Sequence, residues 1–211
     1  MTVRESVRRP ARRVAGAARW ALFGGTFDPP HVGHLAIAEW ARVALELDHV
    51  VFMPAGRPPH KSRRAVTAAV HRLAMTRLAV RGNPAFRVSP LELRSTEPSY
   101  TVETLRRLTG ARAAHVYLLL GADSLDGFRD WREPEAILAM ARLAIAGRSG
   151  AGLAPASEWA RRSARVAWIG NPLIGVAASE LRARVRAQRS IRYLVPDAVS
   201  RYIEKHRLYR R

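Results

Sequence analysis

The 211 residues contain no cysteine, which excludes disulfides and thiolate metal centres and makes a reducing, cytoplasmic setting the default expectation. No apolar run reaches the ~18 residues needed to cross a bilayer, and no signal-type apolar core followed by small residues is present, so no membrane partner is expected. Lysine is almost absent, with Lys61 and Lys205 alone, and the 17 acidic residues are outnumbered by 36 basic ones. Arginine therefore carries nearly all of a net charge of +19. Such a charge would suit neutralisation of a nucleic-acid backbone. It is nevertheless spread over many predicted helix faces, and no basic-aromatic binding motif accompanies it. An arginine-rich composition is the simpler account, and no nucleic-acid partner is expected. Anionic small substrates gain from the field in either case.

With 48% hydrophobic residues, the chain can fill one α/β core. Residues 1–18, rich in arginine and without apolar periodicity, read as a disordered basic extension in preference to a transit peptide. Residues 19–211 read as a single domain. The sequence leaves a homo-oligomer open.

The chain is organised around residues 19–35. Trp20 to Phe23 form an apolar strand that ends at Gly24-Gly25, where the backbone can take positive φ and a ligand can approach. Thr26, Phe27 and Asp28 follow, with Asp28 at a helix-cap position before Pro29 and Pro30. His31 and His34, at i and i+3, share one face of the first helical turn beside unpaired N–H groups and the positive end of the helix dipole. Gly33 removes a side chain that would crowd them. The product is a compact anion site with two imidazole donors. A zinc site is disfavoured, since no HExxH pattern is present.

The run Gly-Gly-Thr-Phe-Asp-Pro-Pro-His-Val-Gly-His resembles the (H/T)xGH nucleotidyltransferase superfamily, and its Gly-Gly-Thr-Phe-Asp-Pro form is similar to the bacterial nicotinate-nucleotide adenylyltransferases. The resemblance covers roughly residues 19–211 with its motifs in family order. It implies that Gly24, Gly25, Thr26, Phe27, His31 and His34 bind ATP.

Further along, a helix carrying Leu35, Ile37, Ala38 and Ala41 leads to a strand over His49 to Met53. The loop Pro54-Ala-Gly-Arg-Pro-Pro-His-Lys61 is a solvated basic loop on residue type alone; the resemblance brings His60 and Lys61 to the substrate nucleotide. Thr67 to Val80 are an amphipathic helix and Phe86 to Ser89 a short strand. Pro98-Ser-Tyr-Thr-Val-Glu contains a capping box with Ser99 as the cap; the resemblance sets Tyr100 and Thr101 at the pyridine carboxylate. His115 to Leu120 are the most apolar strand, ending in Gly121-Ala-Asp. Asp123 is either an ordinary helix cap or, at the end of a parallel strand, a holder of a ribose diol; the resemblance favours the second, with Gly121 beside it. Trp131, at helical spacing from Phe128, is either core or, as the resemblance implies, a ring stacked on nicotinate.

Arg142 to Ala146 form a fifth strand. Arg148 stands where relatives have Arg-Pro-Gly, and is taken as substrate-binding. Residues 149–157 read as a flexible loop before a short helix, and Val166 to Ile169 as the last strand. Val176-Ala-Ala-Ser-Glu-Leu-Arg182 resembles the family's Ile-Ser-Ser-Thr-x-Ile-Arg, with Ser179 at a helix start and Arg182 on the same face. The planar Arg182 cation can follow charge onto a leaving pyrophosphate. Ala177 and Ala178 replace two serines, so hydroxyl contacts made there in relatives are lost. Val199 to Tyr209 are a helix similar to the family's Tyr-Ile-x-x-His-x-Leu-Tyr segment.

Alternating strands and helices predict an α/β fold, a Rossmann-like doubly wound parallel sheet with a small helical C-terminal part. The resemblance implies adenylyl transfer from ATP to nicotinate mononucleotide in NAD biosynthesis. His34, His31 and Arg182 would be the catalytic donors, and Mg²⁺ would be bound through ATP phosphates with no protein metal site. A sister enzyme using nicotinamide mononucleotide or phosphopantetheine, and a nucleic-acid-binding protein that keeps the fold, are the alternatives. The strictness of acid over amide and the cost of Ala177 and Ala178 are not legible.

Overall fold

The computed structural model describes residues 18–57, 66–95, 98–109, 115–147, 158–172 and 174–210. Strands and helices alternate along much of the chain: β1 Trp20–Gly25, α1 Val32–Ala44, β2 His49–Pro54, α2 Ala69–Val80, β3 Phe86–Val88, α3 Thr101–Thr109, β4 Val116–Gly121, α4 Ala122–Asp126, α5 Pro134–Met140, β5 Arg142–Ala146, α6 Glu158–Arg162, β6 Val166–Trp168, α7 Ala178–Arg186 and α8 Asp197–Lys205. The strands make one six-stranded sheet in the order β3-β2-β1-β4-β5-β6. Pairing is parallel from β1 to β4, β4 to β5 and β5 to β6, with Leu22 opposite Leu118 and Leu118 opposite Leu143. The order reverses between β1 and β4, as in a doubly wound sheet. The expected α/β, Rossmann-like fold is therefore the observed one.

Continuous apolar runs become strands here because a parallel sheet covered on both faces buries every side chain, not alternate ones. Val116 to Leu120 of β4 are all buried, as are Leu143 to Ala146 of β5. β1 runs two residues further than expected. Gly24 and Gly25 stay in the strand, and neither takes the positive φ open to glycine.

The chain divides into two compact units, one of Met1–Phe23, Ile37–Val50 and Tyr100–Leu173, the other of Gly24–Ala36, Val51–Ser99 and Ile174–Arg211. In the first, Leu22, Leu118, Leu119, Leu143, Ile145 and Phe128 are buried core. In the second, Met75 of α2 and Leu181 of α7 pack with Ile191, Val195, Val199 and Ile203. Val199 and Ile203 lie at i, i+4, the apolar stripe of α8. Deleting one of these side chains to alanine would cost about 2–5 kcal/mol, so this cluster anchors both α7 and the chain's last turn.

Candidate active site

The second unit holds the two histidines. α1 begins one residue after His31, whose carbonyl accepts the N–H groups of His34 at 3.0 Å and Leu35 at 3.3 Å. The His31 N–H in turn donates to His34 Nδ1 at 3.2 Å. The two rings stand 3.7 Å apart between centroids and are tilted by 37°. A Cβ on Gly33 would lie 3.0 Å from His31 Nδ1, so any larger residue there crowds the ring, as the spacing suggests.

Burial decides the charge of this pair. Desolvation lowers the His31 pKa from 6.5 to about 4. Desolvation, and then the neighbouring His31, lower that of His34 to about 3. Both imidazoles are neutral at pH 7. Because His34 Nδ1 accepts a hydrogen bond, its proton sits on Nε2, which is therefore the ring's donor. The site offers anions neutral N–H groups, not imidazolium.

Phe27 lines the same turn. It is 1% exposed and takes a φ of +49°, and its ring meets His34 edge-on at 5.1 Å. A bulky residue in the left-handed region costs on the order of 1–3 kcal/mol and persists only where its surroundings over-determine it. Gly25 is part of that surrounding, since a Cβ there would come within 2.9 Å of the Phe27 ring. Glycine at 25 thus serves the ring of Phe27.

Asp28 is not a helix cap. It lies 3% exposed, upstream of α1. Its Oδ2 accepts the Thr67 N–H at 3.0 Å and its Oδ1 the Tyr209 hydroxyl at 2.7 Å. Arg182 Nη1 donates to the Asp28 carbonyl at 2.8 Å. That leaves the rest of a five-donor fork for other work, and among the described residues no carboxylate pairs with Arg182. Ser179 is exposed in the first turn of α7, whose cap is Ala177 with no side-chain hydrogen bond. The expectation of Ser179 at the helix start holds to within a residue, and the first N–H groups of α7 are left without a hydroxyl cap.

Sequence reasoning missed Arg72. It is 2% exposed, and its guanidinium donates to the carbonyls of Thr67 at 2.9 Å, Thr26 at 3.0 Å, Ala55 at 2.7 Å and Gly56 at 3.4 Å. It ties the turn after β1 to the loop after β2. Burial lowers its pKa while the charge of Asp28 opposes that. The available signal was position: Arg72 stands three and four residues before buried Met75 and Thr76, on the inward face of α2. Ser99 was expected to cap α3, yet its hydroxyl accepts from Gly56 N at 2.9 Å and Arg57 N at 3.2 Å. α3 starts at Thr101, and the Tyr100 carbonyl opens it.

The first unit holds a separate group. Asp123 is exposed in the first turn of α4, and Gly121 is that helix's cap without a side-chain bond, so Asp123 is not the cap. A Cβ on Gly121 would collide with Asp123 Oδ1, so the carboxylate turns back over the end of β4. Tyr100 and the turn carrying Trp131 are drawn together by two contacts. Arg132 lies 4.8 Å over the Tyr100 ring, and Arg106 of α3 pairs with Glu133. Trp131 is half-buried, tilted against buried Phe128 at 5.5 Å. Thr101 is half-buried at the head of α3. His60, Lys61, Arg148, the segment 149–157 and residues 1–17 lie outside the described residues.

The sequence matches the cytidylyltransferase-like family over residues 22–193. It is 45% identical over 197 residues to the probable nicotinate-nucleotide adenylyltransferase of Thermomicrobium roseum, covering 92% of each chain. It is 46% identical over 192 residues to that of Roseiflexus sp. strain RS-1, covering 90% of this chain and 96% of the other. The chain belongs to the cytidylyltransferase-like family, among its nicotinate-nucleotide adenylyltransferases. The fold of this adenylyltransferase matches Plasmodium falciparum nicotinic acid mononucleotide adenylyltransferase complexed with NaAD, with a TM-score of 0.76 at 18% identity, covering 92% of this chain and 98% of that one. At that identity the likeness speaks to the fold alone.

Proposed function

We propose that this adenylyltransferase passes the adenylyl group of ATP to nicotinate mononucleotide, forming deamido-NAD and releasing pyrophosphate, a step of NAD biosynthesis in the cytoplasm. The observation that carries the reading is the neutral His31–His34 pair at the mouth of α1, His31 buried and His34 half-buried, within a family of nicotinate-nucleotide adenylyltransferases.

A phosphate oxygen of nicotinate mononucleotide attacks the α-phosphorus of ATP, and the bond from that phosphorus to the β-bridging oxygen breaks. The nucleophile is already an anion, so no covalent enzyme intermediate and no general base are needed. The chain's work is alignment and stabilisation of charge moving toward pyrophosphate. His34 Nε2 and His31 donate to the triphosphate. Arg182, with Ser179 and the uncapped N–H groups of α7, takes the β,γ end. Neutral donors fit this task because they gain from developing negative charge without a proton being lost to it.

The resemblance assigns Gly24, Gly25, Thr26 and Phe27 to the ATP phosphates, Gly121 and Asp123 to the adenylate ribose, Tyr100, Thr101 and Trp131 to the nicotinate end, and His60, Lys61 and Arg148 to the mononucleotide. Among the described residues no cluster of three or more His, Asp or Glu could hold a metal, and both Asp28 carboxylate oxygens already accept hydrogen bonds. Imidazole nitrogen is a poor match for Mg²⁺, which favours oxygen ligands. ATP enters as its Mg²⁺ complex, the metal held through phosphate oxygens.

The test is pyrophosphate release from ATP and Mg²⁺ with nicotinate mononucleotide and nicotinamide mononucleotide in parallel. Preference for the acid is expected; turnover with neither overturns the reading.

A further inference from the structure

The residue before the two prolines is held from three distant places. Asp28 Oδ1 accepts the Tyr209 hydroxyl at 2.7 Å, Oδ2 the Thr67 N–H at 3.0 Å, and the Asp28 carbonyl a guanidinium N–H of Arg182 at 2.8 Å. Two of these donors come from the last part of the chain, 154 and 181 residues away in sequence. All of the groups belong to the second unit.

Tyr209 reaches Asp28 through an unusual backbone. After α8 the chain turns back with left-handed residues at Arg207, φ +51°, and at Tyr209 itself, φ +65°. The Leu208 N–H caps the Ile203 carbonyl at 3.0 Å, and Leu208 and the Tyr209 ring pack on the cluster around Met75, Val199 and Ile203. That packing already anchors the tail. The hydroxyl has a narrower use: it donates to Asp28, is hydrogen-bonded by the Thr67 side chain, and lies 3.9 Å from the Met75 sulfur. Burial, then the Asp28 charge, hold the phenol proton well beyond the ordinary tyrosine range, so the group remains a donor.

We propose that Tyr209 is a positioning residue for adenylyl transfer. Its hydroxyl fixes the Asp28 carboxylate, and through Pro29 and Pro30 the placement of His31 and, beyond it, His34, while Arg182 is registered on the same residue's carbonyl. The inference rests on the adenylyl-transfer reading. A chain terminus thereby helps shape a turn near the other end of the sequence, which a helix cap at residue 28 could not do.

Tyr209→Phe keeps the ring and its packing and deletes only the hydroxyl. Misplacement of reacting groups by about 1 Å can cost ~10²-fold in rate, so a smaller release should lower kcat about tenfold, with KM for both substrates within about twofold. The assay is run where circular dichroism finds wild type and variant fully folded, so a merely structural role would leave kcat unchanged. Asp28→Ala supplies the second arm, because it removes the acceptor of the Tyr209 hydroxyl and groups acting through one another are non-additive. In that background Tyr209→Phe should cost less than about twofold more. An unchanged kcat in Tyr209→Phe, or a full further tenfold loss in the double variant, overturns the role. Absence of turnover in the wild-type chain overturns the adenylyl-transfer reading itself, and the role with it.

Discussion

The backbone N–H of His31 donates to Nδ1 of His34 at 3.2 Å, so the first histidine fixes the tautomer of the second. An imidazole that accepts at Nδ1 carries its proton at Nε2 and is neutral. One backbone hydrogen bond within a single helical turn therefore sets both the charge and the direction of the donor.

This neutrality predicts a pH dependence of stability. The pKa values of about 4 for His31 and about 3 for His34 lie below the 6.5 of an exposed histidine. Below pH 6.5 the unfolded chain binds protons that the native chain does not, so stability falls as pH falls from 6.5 toward 4. At pH 4.5 the penalty is about 2–3 kcal/mol per histidine, from 1.36 kcal/mol per unit. Urea unfolding at pH 7 and pH 4.5 should show it in the wild type and much less in a His31→Asn/His34→Asn double variant. Equal pH dependence in both would count against neutral, buried histidines.

His34→Ala should fold and lose turnover by about 10²–10³, the usual cost of removing one donor to developing charge. Steady-state pyrophosphate release checks it, and a loss under about tenfold would remove His34 from the catalytic donors.

Gly33→Ala separates packing from function. Alanine is favoured over glycine by up to about 1 kcal/mol in a helix, which offsets part of the cost of crowding the ring, so the thermal midpoint should change little. The new methyl would lie 3.0 Å from His31 Nδ1, and that ring, 7% exposed and tilted against His34, has little room to give. Turnover should fall about tenfold as the ring shifts. Unchanged turnover would show that His31 tolerates displacement.

Arg72→Met should destabilise by about 3–5 kcal/mol, because buried carbonyls lose their donors and Asp28 loses a neighbouring cation. Arg72→Lys should recover little of that, since an ammonium cannot reproduce the planar fork. Chemical denaturation of the three proteins decides it, and full rescue by lysine would show that charge alone matters.

Much of the fold was legible because apolar runs and their punctuation are local. β5 falls on the expected Arg142–Ala146, and β4 is displaced by one residue. The histidine pair and the need for Gly33 were legible for the same reason: a spacing of three residues puts two side chains on one helical face. The two expected capping roles, of Asp28 and Ser99, fared less well. Both turn to partners far away in sequence, Asp28 to Thr67 and Tyr209 and Ser99 to Gly56 and Arg57. A side-chain oxygen that can cap a helix can equally accept any other buried N–H or O–H, and local pattern does not say which donor arrives.

By itself the sequence determined the alternation of strands and helices, the turn that pairs His31 with His34, and the family to which the motifs belong, all through contacts between residues a few positions apart. Only the tertiary structure decided the protonation state of that pair, the left-handed Phe27, the burial of Arg72 and the use of Asp28 by Tyr209. Each of these depends on which distant groups exclude water or supply the missing donor, and burial is a property of the packed chain that no local spacing encodes.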